Sequence, residues 1–121
     1  MHPEKFTVED IDKLFREDKD SGEYLLHRDV FRDQRVFELE MKYIFERNWV
    51  FVGLESQAAN PNDYFTSWVG RQPIVVMRDA KGELGAYINS CPHKGARVIH
   101  HRKGNEKQFV CSYHGWAFNT A

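Results

Sequence analysis

Two short stretches hold both cysteines of this chain and two of its six histidines, and they constrain its fold more than any other feature. Cys91-Pro92-His93 and Cys111-Ser112-Tyr113-His114 form a C-x-H and a C-x-x-H pair, with seventeen residues between His93 and Cys111. Each pair joins one soft thiolate to one imidazole, and each follows a stretch that reads as a β-strand. A loop at a hairpin tip holds its side chains outward. Two such loops, facing each other, can each give one ligand to each of two metal ions.

That mixture is what a 2Fe–2S cluster needs when one iron sits on two cysteines and the other on two histidines. Cys91, His93, Cys111 and His114 are therefore the candidate cofactor and metal ligands; no catalytic residue is assigned. Gly95 and Gly115, just after the histidines, let backbone N–H groups turn toward the bridging sulfides. Trp116 can shield one side from water. Three other readings compete. A Cys91–Cys111 disulfide suits an oxidising compartment, and nothing in this chain points to one. A structural zinc on the same side chains conflicts with zinc-finger habit, which pairs cysteine with cysteine and histidine with histidine. Chance placement does not account for two histidines each followed closely by glycine.

With 121 residues there is room for one domain and an extra arm. A chain that is 41% hydrophobic and 14% aromatic reads as globular. Its net charge of −1 gives no pull toward nucleic acid or anionic lipid. No apolar run reaches the roughly 18 residues of a membrane span, and Met1-His2-Pro3-Glu4-Lys5 lacks the features of a signal peptide. A cytoplasmic protein is expected.

Thr7 can cap a first helix, with Glu9 and Asp10 in its first turn and Val8, Ile11, Leu14 and Phe15 on one face. A polar turn at 18–22 should end it. Asp33 can cap a second helix, in which Phe37, Met41, Ile44 and Phe45 make an apolar stripe. From Trp49-Val50-Phe51-Val52 onward the pattern turns to β, with strands expected near 64–69, 73–78 and 83–89. Asp79-Ala80-Lys81-Gly82 reads as a hairpin loop. Short strands at 108–111 and 116–118 should flank the second ligand loop. The expected fold class is mainly β with an α-helical amino-terminal arm: the arm over 1–48, an antiparallel β domain over 49–121.

The boxes Cys91-Pro92-His93-Lys94-Gly95-Ala96 and Cys111-Ser112-Tyr113-His114-Gly115-Trp116 resemble those of Rieske non-haem iron oxygenases. The stretch from Phe37 to Trp49 resembles the segment entering the Rieske domain of their large, or α, subunit. Asn62-Asp63-Tyr64 and Gly70-Arg71-Gln72-Pro73 resemble the benzoate- and anthranilate-type aromatic-acid dioxygenases. The resemblance implies a Rieske-type 2Fe–2S cluster fed by an NAD(P)H-dependent reductase or a ferredoxin. It implies electron delivery to a mononuclear Fe(II) in a neighbouring α subunit, and cis-dihydroxylation of an aromatic acid with both atoms of O2. A small β subunit is a further expected partner; nucleic acid and membrane are not. The 2-His-1-carboxylate iron site would lie in a carboxy-terminal domain beyond Ala121. A truncated Rieske fold, not catalytic alone, is thus expected. The rival is a free-standing Rieske ferredoxin, which the helical arm argues against.

Rieske proteins of respiratory chains carry an extra cysteine in each box, at positions matching Ala96 and Tyr113, and hydroxyl residues where this chain has Trp116 and Phe118. Hydroxyl donors raise the potential of a cluster, so a low one is expected here. Arg97, His100, His101, Arg102, Lys103 and Lys107 make a basic stretch between the boxes. It reads as a solvated loop, with docking of an acidic electron donor as the alternative. His100 and His101 are not expected to bind metal, and His2 and His27 have no evident partner.

Overall fold

Thr7 opens the described chain as a helix cap: its hydroxyl accepts the Asp10 N–H at 3.3 Å, and Asp10 accepts the Thr7 N–H at 2.9 Å. A computed structural model describes residues 7–120, without the side chain of Val8. The chain divides into two compact units, Met1–Asn48 and Trp49–Ala121.

In the first unit, α1 (Val8–Asp12) is shorter than its apolar spacing suggests. Leu14 and Phe15 do not continue it. Phe15–Asp18 is strand β1, paired antiparallel with β2 (Glu23–Leu26). The polar stretch read as a helix stop is instead the turn of this hairpin. Asp18 Oδ1 accepts the N–H groups of Asp20 and Ser21, and Gly22 takes φ +71°. Cross-strand pairing, including the Tyr24 hydroxyl donating to Glu17 at 2.9 Å, outweighs helical periodicity here. The arm is therefore helical only in part. His27 also has a partner after all, its ring Nδ1 accepting the Asp29 N–H.

Asp33 caps α2 (Gln34–Glu40) through the Arg35 N–H at 2.8 Å, and Arg35 holds the Asp33 carboxyl down at about 2. The helix then widens into a π-helical turn, Met41–Phe45, closed by Glu46 N–H to the Met41 carbonyl at 2.9 Å. The extra residue per turn breaks the i+7, i+8 stripe. Met41 is buried, while Phe37, Ile44 and Phe45 stay at least a third exposed.

The second unit is built on a four-stranded antiparallel sheet of order β5-β4-β3-β6. Its strands are β3 (Asp63–Val69), β4 (Gln72–Arg78), β5 (Leu84–Ile88) and β6 (Lys103–Asn105). A separate hairpin pairs β7 (Gln108–Val110) with β8 (Ala117–Asn119). Trp49 to Val52 form no strand, and Trp49 is fully exposed. The loop after β4 is as its sequence reads: Asp79 Oδ1 accepts the N–H groups of Lys81 and Glu83, and Gly82 has φ +92°.

Alternation along β3 and β4 fills both faces of the sheet. Tyr64 and Val75 meet Ile99 and Phe109 on one face, and Phe65 and Val76 meet Ala58 on the other. The rings of Tyr64 and Phe109 meet edge-on at 5.1 Å, so Phe109 anchors the β7–β8 hairpin to the sheet. β6 falls in the basic stretch, where the sequence suggests a solvated loop. It pairs with β3, where Gly104 lies opposite Tyr64 and leaves room for its ring; a Cβ at Gly104 would come 2.7 Å from the phenol oxygen.

Candidate metal centre

Loop 1, carrying residues 91–96 at its tip, reaches Cys91 three residues after β5 ends, and loop 2, residues 111–116, begins directly after β7. The two are folded alike. In loop 1 the Cys91 N–H donates to the Ala96 carbonyl at 2.7 Å, and the Gly95 N–H donates to the Cys91 carbonyl at 2.8 Å. In loop 2 the Cys111 N–H donates to Trp116 at 2.8 Å, and the Gly115 N–H donates to Cys111 at 2.9 Å. Gly95 and Gly115 share φ +74°, a left-handed conformation that closes each turn. Their own N–H groups are thus taken by cysteine carbonyls. The N–H groups of Tyr113, foremost, and His114 turn toward the Cys111 sulfur. With the Cys91 thiol they lower the Cys111 thiol pKa against the opposite push of burial.

All four singled-out side chains come together. Cys91 and Cys111 are buried, 3% and 2% exposed, unbridged and within hydrogen-bonding reach of each other. The rings of His93 and His114 lie outward, exposed, with centroids 4.7 Å apart at 71°. Thiols inside and imidazoles outside make a two-ended site. Among the described residues no three Cys, His, Asp or Glu side chains converge as they would around one ion. A two-iron cluster asks only two protein ligands of each iron, and the paired thiols and paired imidazoles fit that requirement.

Each histidine carries an aromatic neighbour. Trp116, from loop 2, lies flat on His93 of loop 1, with centroids 4.9 Å apart and planes 6° apart. It is 47% exposed and covers one side of that ring, the place its sequence position suggests. Tyr113 lies against His114 at 3.9 Å, a contact the sequence reading did not anticipate. The basic residues Arg97, His100, His101, Arg102, Lys103 and Lys107 are all exposed. His100 Nδ1 stands 3.4 Å from the Arg97 guanidinium. His2 lies outside the described residues. No described helix is long and apolar enough to cross a membrane.

The chain is similar to known proteins. The toluate 1,2-dioxygenase subunit alpha of Pseudomonas putida is 47% identical over 111 residues, which is 92% of this chain and 24% of that protein. The 2-halobenzoate 1,2-dioxygenase large subunit of Burkholderia cepacia is 46% identical over 110 residues, 91% of this chain and 24% of its own. The chain thus spans about a quarter of the length of these curated relatives. Naphthalene 1,2-dioxygenase with indole in its active site superposes with a TM-score of 0.70 at 40% identity, over 75% of this chain and 20% of that one. A quaternary ammonium Rieske monooxygenase does so with a TM-score of 0.69 at 34% identity, over 76% and 26%. The profile of the Rieske [2Fe-2S] domain matches residues 48–121, and with both ligand loops inside that span the chain belongs to the Rieske [2Fe-2S] family.

Proposed function

We propose that Cys91 and Cys111 hold one iron of the cluster and His93 and His114 the other, in the α subunit of an aromatic ring-hydroxylating dioxygenase. The observation that carries the ligand assignment is the paired geometry: two unbridged buried thiols side by side, two exposed imidazoles side by side. When bound, the cluster supplies one-electron redox chemistry. The chain's own residues hold it and control access. The closed turns at Gly95 and Gly115 present the ligands, Tyr113 and His114 N–H groups stabilise the Cys111 thiolate, and Trp116 keeps water from one side of His93.

The similarity to toluate and 2-halobenzoate dioxygenase large subunits covers over 90% of the chain, including most of the first unit. That supports a dioxygenase α subunit over a free ferredoxin, and an aromatic acid as its substrate. An NAD(P)H-dependent reductase or ferredoxin would supply electrons. They would pass to a mononuclear Fe(II) in the carboxy-terminal domain of a neighbouring α subunit, with a small β subunit as a further partner. Unbridged cysteines suit the reducing cytoplasm.

EPR of the reduced protein tests the ligand set. A Rieske-type spectrum is expected, together with its loss in Cys91→Ser, where the thiolate is gone. A Cys91→Ser protein with normal iron content and an unchanged spectrum would falsify the assignment.

A further inference from the structure

Asn89 is a buried polar residue, 3% exposed, two positions before Cys91, and the proposed ligand set does not use it. Its side-chain amide commits all of its strongest bonds to one short segment. Oδ1 accepts the N–H groups of Val98 at 3.2 Å and Ile99 at 2.9 Å, and Nδ2 donates to the Ile99 carbonyl at 2.7 Å. Its backbone N–H donates to the Pro73 carbonyl on β4 at 2.9 Å. Asn89 therefore belongs to the sheet by its backbone and to the far side of loop 1 by its side chain.

The comparison between the loops shows why that matters. Loop 2 is closed at its neck by strand pairing, with Phe109 opposite Phe118 and Val110 opposite Ala117. Loop 1 has no such ladder, because residues 97–99 form neither strand nor helix. Ile99 is nonetheless buried in the core, where an unpaired N–H or carbonyl is costly. The amide of Asn89 stands in for the missing strand. Beyond the Cys91–Ala96 backbone bond nearer its tip, loop 1 is held at its neck by one side chain. That side chain joins Asn89, where the chain leaves the sheet, to Val98 and Ile99, where it re-enters the core.

We infer that Asn89 is a positioning residue for the cluster, holding the neck of loop 1 so that Cys91 and His93 face Cys111 and His114. Cross-loop contacts make the orientation sensitive: His93 meets both the His114 ring and the Trp116 indole across the gap between loops. A neck that pivots moves both at once. Second-layer partners of metal ligands tune geometry and retention in this manner. This inference rests on the ligand set proposed above.

The test uses the cluster-loaded protein and three variants. Asn89→Ala removes all three side-chain bonds, and Asn89→Asp keeps the oxygen that accepts from Val98 and Ile99 while losing the donor to Ile99. Arg78→Met is the control. It also removes three bonds, to the Ala58 and Gly82 carbonyls and to Glu55, at the opposite end of β4 from Pro73. Asn89→Ala should shift and broaden the reduced-state EPR g-values and lose cluster on gel filtration ~10-fold faster. Asn89→Asp should fall between, and Arg78→Met should keep wild-type g-values even if its melting temperature drops as far. Wild-type g-values and retention in Asn89→Ala overturn the inference, as do g-value changes in Arg78→Met equal to those in Asn89→Ala. If Asn89→Ala is insoluble, Asn89→Asp decides by the same two readouts. A wild-type protein without a Rieske spectrum would instead overturn the ligand set itself.

Discussion

Gly95 and Gly115 allow a clean test of the paired-turn architecture, because strain can be separated there from crowding. Both hold φ +74°. A Cβ added at Gly115 meets nothing within 4 Å, and one added at Gly95 meets only the Ser90 hydroxyl at 3.9 Å. Alanine would therefore be destabilising through backbone conformation alone. Left-handed backbone costs an L-residue with a Cβ about 1–2 kcal/mol. Alanine also restricts the unfolded chain, which returns part of that, so a net loss of about 1 kcal/mol is expected at either site. For a unit of this size 1 kcal/mol corresponds to roughly 4–8 °C in melting temperature. Thermal unfolding of the cluster-loaded Gly95→Ala and Gly115→Ala proteins, followed by circular dichroism, would measure it. Asparagine tolerates the left-handed region better, so Gly115→Asn should melt above Gly115→Ala. Two results would refute the reasoning: alanine variants as stable as wild type, or asparagine as harmful as alanine. Gly104→Ala supplies the contrast. Its Cβ would press on the Tyr64 ring, so asparagine there should be no better than alanine.

Removing the cluster should lower the melting temperature, because the ligands bind it only in the folded form and it ties two loops distant in sequence; equal melting of apo and loaded protein would contradict this. Phe109→Ala should cost about 3–5 kcal/mol in chemical denaturation, since Phe109 joins the β7–β8 hairpin to the Tyr64–Val75–Ile99 core, and a loss below 1 kcal/mol would show that the hairpin is anchored otherwise. An EPR-monitored redox titration should find a midpoint near the low end of the Rieske range, about −150 mV, because neither Trp116 nor Phe118 has an O–H to donate; a value well above zero would sink the argument. Charge reversal at exposed Arg102 and Lys103 should slow reduction by the donor, most at low salt, and rates unchanged at every ionic strength would leave the stretch without that role.

Where a residue's role depends on its near neighbours in the chain, it was readable in advance. Asp33 caps α2, Asp79 and Gly82 build the β4–β5 turn, and the alternation in β3 and β4 sorts residues to two faces, all through interactions spanning a few positions. The cysteine and histidine pairs were readable for a related reason: few other side chains bind iron, and their spacing within each box sets which can share a loop. What remained hidden depends on partners distant in sequence. β6 carries no apolar alternation, and becomes a strand through distant partners: Tyr64 of β3 lies across Gly104, and Asn105 donates to Pro61 and Asp63. Leu14 and Phe15 continue a helical stripe on paper, but β2 offers hydrogen bonds that the helix cannot. Trp49-Val50-Phe51-Val52 has the composition of a strand and finds no strand to pair with. Asn89 reads as one more polar position at the end of an alternating strand; only the folded chain puts Val98 and Ile99 against its amide. The sequence by itself determined which thiols and imidazoles each loop can offer, since the spacing within a box is a local property. The tertiary structure decided which thiols and imidazoles face one another and what holds them there, because backbone groups pair with whatever the fold brings near.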